Sequence, residues 1–141
     1  MQQVLDLDRY PIDRLDAPET RKLIGRCKVE LAEHGMFNLP GLVRGSVIDN
    51  CATELAPLID TVAYTHKRRH NIYFRTDIEG LAPDHPALRQ RDTINHTLCG
   101  DQLAATIVGR IYEWTPLADF LARVMEKPRL FLMDEIGRAH V

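Results

Sequence analysis

Most of the apolar residues in this chain recur at helical spacing. Leu23, Cys27 and Leu31, with Ile24 and Val29 beside them, fall on one side of a 3.6-residue period, and Arg21, Lys22, Lys28 and Glu33 fall on the other. The pattern predicts a helix over residues 18–34. Asp16 stands at its N-cap position, Pro18 and Glu19 occupy the first turn, and Gly35 follows as the left-handed residue that ends it. Ahead of this helix, apolar and acidic residues alternate from Val4 to Leu7 and lead into Tyr10-Pro11-Ile12. That predicts a short strand or extended arm ended by the proline. Behind it, residues 36–43 read as a connector that turns at Pro40-Gly41.

A second helix is predicted over residues 47–67, capped by Ser46 or Asp49. Ile48, Cys51, Leu55, Leu58, Ile59 and Val62 share one side of it. Pro57 should kink it, because the ring excludes the carbonyl one turn back. Lys67, Arg68 and Arg69 would close it at the negative pole of the helix dipole. Ile72-Tyr73-Phe74 is too short for anything but a strand or extended piece, and residues 76–86, with Gly80, Pro83 and Pro86, read as a loop. A third helix is predicted over residues 86–98, broken by Gly100-Asp101. A fourth spans residues 102–114, with Leu103, Ile107, Ile111 and Trp114 as its buried stripe. Thr115-Pro116 is a cap followed by a first-turn proline. It opens a fifth helix over residues 116–126 that buries Phe120, Leu121 and Val124 and is stopped by Pro128. Residues 129–133 read as a final strand.

The order is α+β: helical first, with strands arriving late. The last predicted strand has poor sheet partners upstream, and an unpaired apolar edge is something native proteins cover. The 141 residues suffice for one domain, with 45% hydrophobic and 27% charged residues, both ordinary values. A net charge of -2 and a pI near 6.3 give no reason to expect nucleic acid or an anionic membrane as partner. No apolar run approaches the roughly 18 residues of a membrane-spanning helix, and residues 1–6 lack the basic-then-apolar pattern of a signal peptide. Cys27, Cys51 and Cys99 cannot all pair and fit no zinc spacing, which points to free thiols in a reducing cytoplasm.

The candidate chemistry is sparse. His66 and His70 are four residues apart and on a helix would share a face. Lysine and arginine lie between them, however, and oppose a cation. His96 and Cys99 have the spacing of a base and a nucleophile, without an oxyanion loop or an orienting acid, so a buried thiol is the simpler reading. Gly100-Asp101-Gln102 is a turn, and no Gly-rich phosphate cradle occurs. Arg68, Arg69 and Arg75, around His70-Asn71, remain. Guanidinium groups there could clamp a carboxylate with paired donors, or the stretch could be a basic surface.

Residues 135–141 stand apart. They can be spelled GAG ATC GGA AGA GCA CAC GTC, a common sequencing-adapter sequence. The reading is that residues 1–134 are protein and residues 135–141 an artefact of read-through; a natural frayed terminus is the alternative. Arg138 and His140 therefore enter no site.

Several landmarks in order resemble one family. They are Gly35-Met36-Phe37, Leu39-Pro40-Gly41, His70-Asn71-Ile72-Tyr73-Phe74, Asp92-Thr93 through Thr97, Asp101-Gln102-Leu103, Ile111-Tyr112-Glu113-Trp114 with Leu117 and Phe120-Leu121, and Glu126-Lys127-Pro128-Arg129-Leu130-Phe131. Together they resemble the N-terminal half of the BesD/HalD-type branch of the iron(II)- and 2-oxoglutarate-dependent oxygenases, which includes hydroxylases and halogenases of free amino acids. The resemblance implies a helical region followed by the first strands of a double-stranded β-helix (jelly-roll) core, here incomplete. It implies Fe(II) and 2-oxoglutarate as cofactors of the full-length protein, held by residues that match no position here, so that this chain alone would be inactive and would not bind iron tightly. It also implies a free amino acid or similar small molecule as substrate, with His70, Asn71, Tyr73 and Arg75 lining or supporting its pocket. The competing expectation is a complete, non-catalytic helical domain that binds or regulates.

Overall fold

The computed structural model describes residues 1–132. Its first helix, α1, spans Pro18–His34, the predicted range. Ala17, not Asp16, occupies the N-cap and offers no side-chain bond, so Pro18 and Glu19 in the first turn mark the start. Gly35 ends the helix at φ 72, its N–H donating to the Leu31 carbonyl. Cys27 and Thr20 are fully buried on the inner face, where Thr20 Oγ1 donates 2.8 Å to the Pro11 carbonyl. Val29, expected inside, is exposed.

The N-terminal arm is a chain of turns. Only Leu5 pairs as a strand residue, with Val43 of the connector, flanked by Asp6 N–H to Leu42 O (2.8 Å) and Arg44 N–H to Val4 O (3.0 Å). The Arg44 guanidinium reinforces this seam, reaching the Gln2 carbonyl and Asp6. Leu5, Leu7, Tyr10 and Ile12 are thereby buried against Cys27 of α1 and Phe120 and Val124 of α5 (Thr115–Val124). Phe120 meets Phe37 edge to face at 6.4 Å between ring centres. This is the hydrophobic core, built from both ends of the described chain.

Helix α2 spans Gly45–Thr61 and keeps Pro57 inside it. It ends well short of the predicted residue 67. The chain there becomes strand β1, Tyr64–His70, so Lys67, Arg68 and Arg69 lie on a strand and not at a helix end. Residues 72–74, expected to be extended, form a turn. The predicted helix over 86–98 is a single 3-10 turn, Pro86–Leu88, followed by strand β2, Arg91–Thr97. β1 and β2 pair antiparallel, Tyr64 opposite Thr97 through His70 opposite Arg91. The predicted fourth helix is two short ones. Helix α3 (Gly100–Leu103) and helix α4 (Ile107–Tyr112) meet so closely that a Cβ on Gly109 would sit 2.1 Å from the Leu103 carbonyl oxygen. Glu54 of α2 accepts from the Ile107 N–H at 2.8 Å, and Gln102 donates to the Val62 carbonyl at 3.0 Å, tying these helices to α2.

The fold is thus mixed α+β, five helices and one two-stranded sheet among the described residues. Residues 129–132 form no strand. Met133 and the adapter-like residues 135–141 lie outside the described residues. No helix among the described residues is long and apolar enough to cross a membrane.

Candidate functional site

The chain between β1 and β2 is organised by one amide. Asn71 follows the last residue of β1 and is 3% exposed. Its Oδ1 accepts from the N–H groups of Tyr73 (3.0 Å) and Arg75 (3.2 Å), and its Nδ2 donates to the Arg75 and Leu88 carbonyls. An asparagine side chain that reproduces backbone bonding two residues on is an Asx-turn, which explains why residues 72–74 turn instead of extending. The turn places Phe74 at φ 54, an uncommon conformation for a residue with a large side chain. Its ring compensates by stacking on His70, 4.5 Å between centres and 14° between planes.

His70 is held at both nitrogens. Nδ1 lies 2.9 Å from the Asn71 carbonyl, which only accepts, so Nδ1 carries a proton. Nε2 lies 3.1 Å from Thr93 Oγ1. With one ring face on Phe74 and both nitrogens engaged, His70 shapes the site and leaves no nitrogen for a ligand. The same holds for Asn71.

What these two residues support is a hollow of about 300 Å³ lined by Arg68, Arg69, His70, Phe74, Arg75, Thr76 and Gln90. Arg68 spends its Nε on His66 Nε2 at 3.0 Å, which leaves its terminal nitrogens. Among the described residues, none of Arg68, Arg69 and Arg75 pairs with a carboxylate. The ion-paired cations Arg14, Arg26, Lys28 and Arg44 all lie elsewhere. Arg69 alternates to the other face of the sheet, opposite Asp92, so the guanidinium groups of Arg68 and Arg75 are the ones without a counter-ion here; they attract an anion, and their planar donors match a carboxylate.

Of the four residues expected from the sequence, His70 and Arg75 line this hollow, and Asn71 is buried beneath it. Tyr73 lines a neighbouring depression with Arg75, Ile78, Glu79 and Leu81. Arg75 is shared by both. Thr76 and Gln90 were missed. Gln90 is brought in by the register of β2, and nothing in its local sequence signals that.

The other candidates disperse. His66 and His70 are strand residues four apart, so about 13 Å separates their backbones and no shared helix face exists. Cys99 begins α3 and is exposed rather than buried. A largely apolar groove of about 530 Å³ lies beside it, bounded by Leu98, Leu103, Val108 and Tyr112. Among the described residues no three His, Cys, Asp or Glu side chains are placed to hold a metal ion. No family model, curated protein or solved structure matches this chain.

Proposed function

We propose that this chain is the substrate-holding part of an Fe(II)- and 2-oxoglutarate-dependent oxygenase. The enzyme hydroxylates, or halogenates, a free amino acid or similar small molecule, and hydroxylation is the first choice. Iron and 2-oxoglutarate are held by other residues, on the strands that complete a jelly-roll core. The resemblance described above supplies the reaction class. The observation that carries the role of this chain is the presence of Arg68 and Arg75 at one hollow without a carboxylate partner. The substrate carboxylate sits there. Arg75 is the shared wall, and the rest of the molecule extends toward Tyr73 and the apolar Ile78 and Leu81. His70 and Asn71 act through position: one packs under Phe74, the other fixes the turn that carries Arg75.

Titration of the chain with free amino acids and with their carboxyl amides tests this. Free acids are expected to bind at the hollow and the amides to bind at least tenfold more weakly, about 1.4 kcal/mol. Arg75→Ala should lower acid affinity by a similar factor. Equal binding of acids and amides would remove the carboxylate clamp, and unchanged affinity in Arg75→Ala would remove that residue from it. Stoichiometric iron in the purified chain, or succinate formed from 2-oxoglutarate by the chain alone, would contradict the placement of the iron ligands. Acid binding by a protein that never turns over 2-oxoglutarate would favour the non-catalytic binding domain.

A further inference from the structure

The β1–β2 hairpin is exposed along most of its length, and the two edges of its sheet differ in a way that selects a partner. Along β1 the central residues are Lys67, Arg68 and Arg69. A second copy laid antiparallel on that edge would bring lysine and arginine against one another, and such charged edges discourage pairing. Along β2 the sequence is Arg91-Asp92-Thr93-Ile94-Asn95-His96-Thr97, which is complementary to itself about Ile94. No strand covers this edge among the described residues.

We infer that the β2 edge is a homodimer seam, in which two copies pair antiparallel across a twofold axis at Ile94 to form a four-stranded sheet. This register uses all seven residues of the strand. It sets Ile94 against its symmetry mate, Asp92 against His96, Thr93 against Asn95 and Arg91 against Thr97. No like charges face each other across the seam. On one sheet face, the register that sets Asp92 opposite Arg69 extends into a row of Arg69, Asp92 and the second copy's His96. On the same face Ile94, 57% exposed in a single chain, meets an identical side chain and loses its contact with water. Shifting the register two residues either way shortens the overlap and separates Asp92 from His96. The pairing is isologous and therefore closes at two copies.

Sedimentation velocity on the full chain, from about 1 to 200 μM, is the first measurement, with a concentration-dependent dimer expected. Ile94→Lys and Asp92→Lys alter exposed side chains, so circular dichroism should stay unchanged. Each is expected to weaken dimerisation tenfold or more. Exchanging the charged pair, Asp92→His with His96→Asp, should restore it. In a Cys51→Ala, Cys99→Ser background, Ile94→Cys should give a dithiothreitol-sensitive covalent dimer under oxidation, and Asn95→Cys should not. A chain that stays monomeric throughout overturns the proposal. So does a dimer indifferent to Ile94→Lys, or one that crosslinks equally through residue 95.

Discussion

Replacing Asn71 with alanine separates the supporting layer of the hollow from the groups that touch a ligand. Its Oδ1 accepts from the Tyr73 and Arg75 amides at 3.0 and 3.2 Å, and its Nδ2 makes a short bond to the Arg75 carbonyl. The fourth, to Leu88, lies at the 3.5 Å limit. Net values near 1 kcal/mol per bond give about 2–3 kcal/mol for the turn, because the exposed amides of Tyr73 and Arg75 recover water when the side chain is gone. The loss is local. Asn71 is not among the residues around Phe120, so the free energy of urea unfolding should change by less than about 1 kcal/mol while the hairpin end opens more often. Amide hydrogen exchange at the end of the hairpin, residues 68–70 and 91–93, should accelerate by roughly 30- to 150-fold, the factor that 2–3 kcal/mol implies. Affinity for a free amino acid should fall although Asn71 contacts no ligand. Asn71→Asp keeps both acceptor bonds and sets carboxylate oxygen against two carbonyls, so it should be no better than alanine. Parent-like exchange and affinity in Asn71→Ala would refute the assignment of Asn71 as organiser of the turn.

Phe120→Ala empties a fully buried site beside Phe37 and should cost about 3–5 kcal/mol in urea unfolding. Gly109→Ala forces a Cβ onto the Leu103 carbonyl and should cost about 3 kcal/mol, read as a lower Tm, with α3 and α4 parted. Thiol labelling should proceed at exposed Cys99 first, then Cys51, and at buried Cys27 only on unfolding. Burial pushes the Cys27 thiol up from its ordinary value of 9.0, outweighing Arg26; its contribution to stability is therefore complete below that pH and lost as pH rises further, seen as a falling Tm on the alkaline side. The hydrogen bond and charge of Lys28 hold the exposed Glu126 carboxyl below the usual carboxylate range. The small stability they add is present above that range and lost as pH falls through it, so Lys28→Met should flatten the acid limb of a Tm–pH curve.

The sequence reading succeeded where one face of an element is buried. Helix α1 was located end to end because Leu23, Cys27 and Leu31 face the core and a proline and a glycine bound it. Helix α5 was located within a residue or two for the same reasons. The hairpin escaped. Alternation at period two exists only when a strand hides one face, and β1 and β2 hide neither; between them they carry one aliphatic side chain, Ile94. With no apolar signal, Lys67 to Arg69 looked like a helix end. The same error joined His66 to His70 on a helix face that does not exist. Of the site, the arginine cluster and His70-Asn71 were legible as types, because few other charges crowd together. Their division into ligand-facing and supporting groups was not, since it depends on which nitrogens the fold has already used.

The core is closed by segments from opposite ends of the described chain, Leu5 to Ile12 on one side and Phe120 and Val124 on the other. Joining them encloses a loop on the order of 100 residues, an entropic cost of about 4 kcal/mol on the logarithmic scale of loop closure. The decisive contacts are therefore of high contact order, and folding should be limited by that closure instead of by helix formation. On the ribosome the consequence is a delay. At roughly 5–20 residues per second, Leu5 and Ile12 wait about 5–20 s for α5 to be made, and a chaperone that binds short apolar segments has that interval in which to hold them.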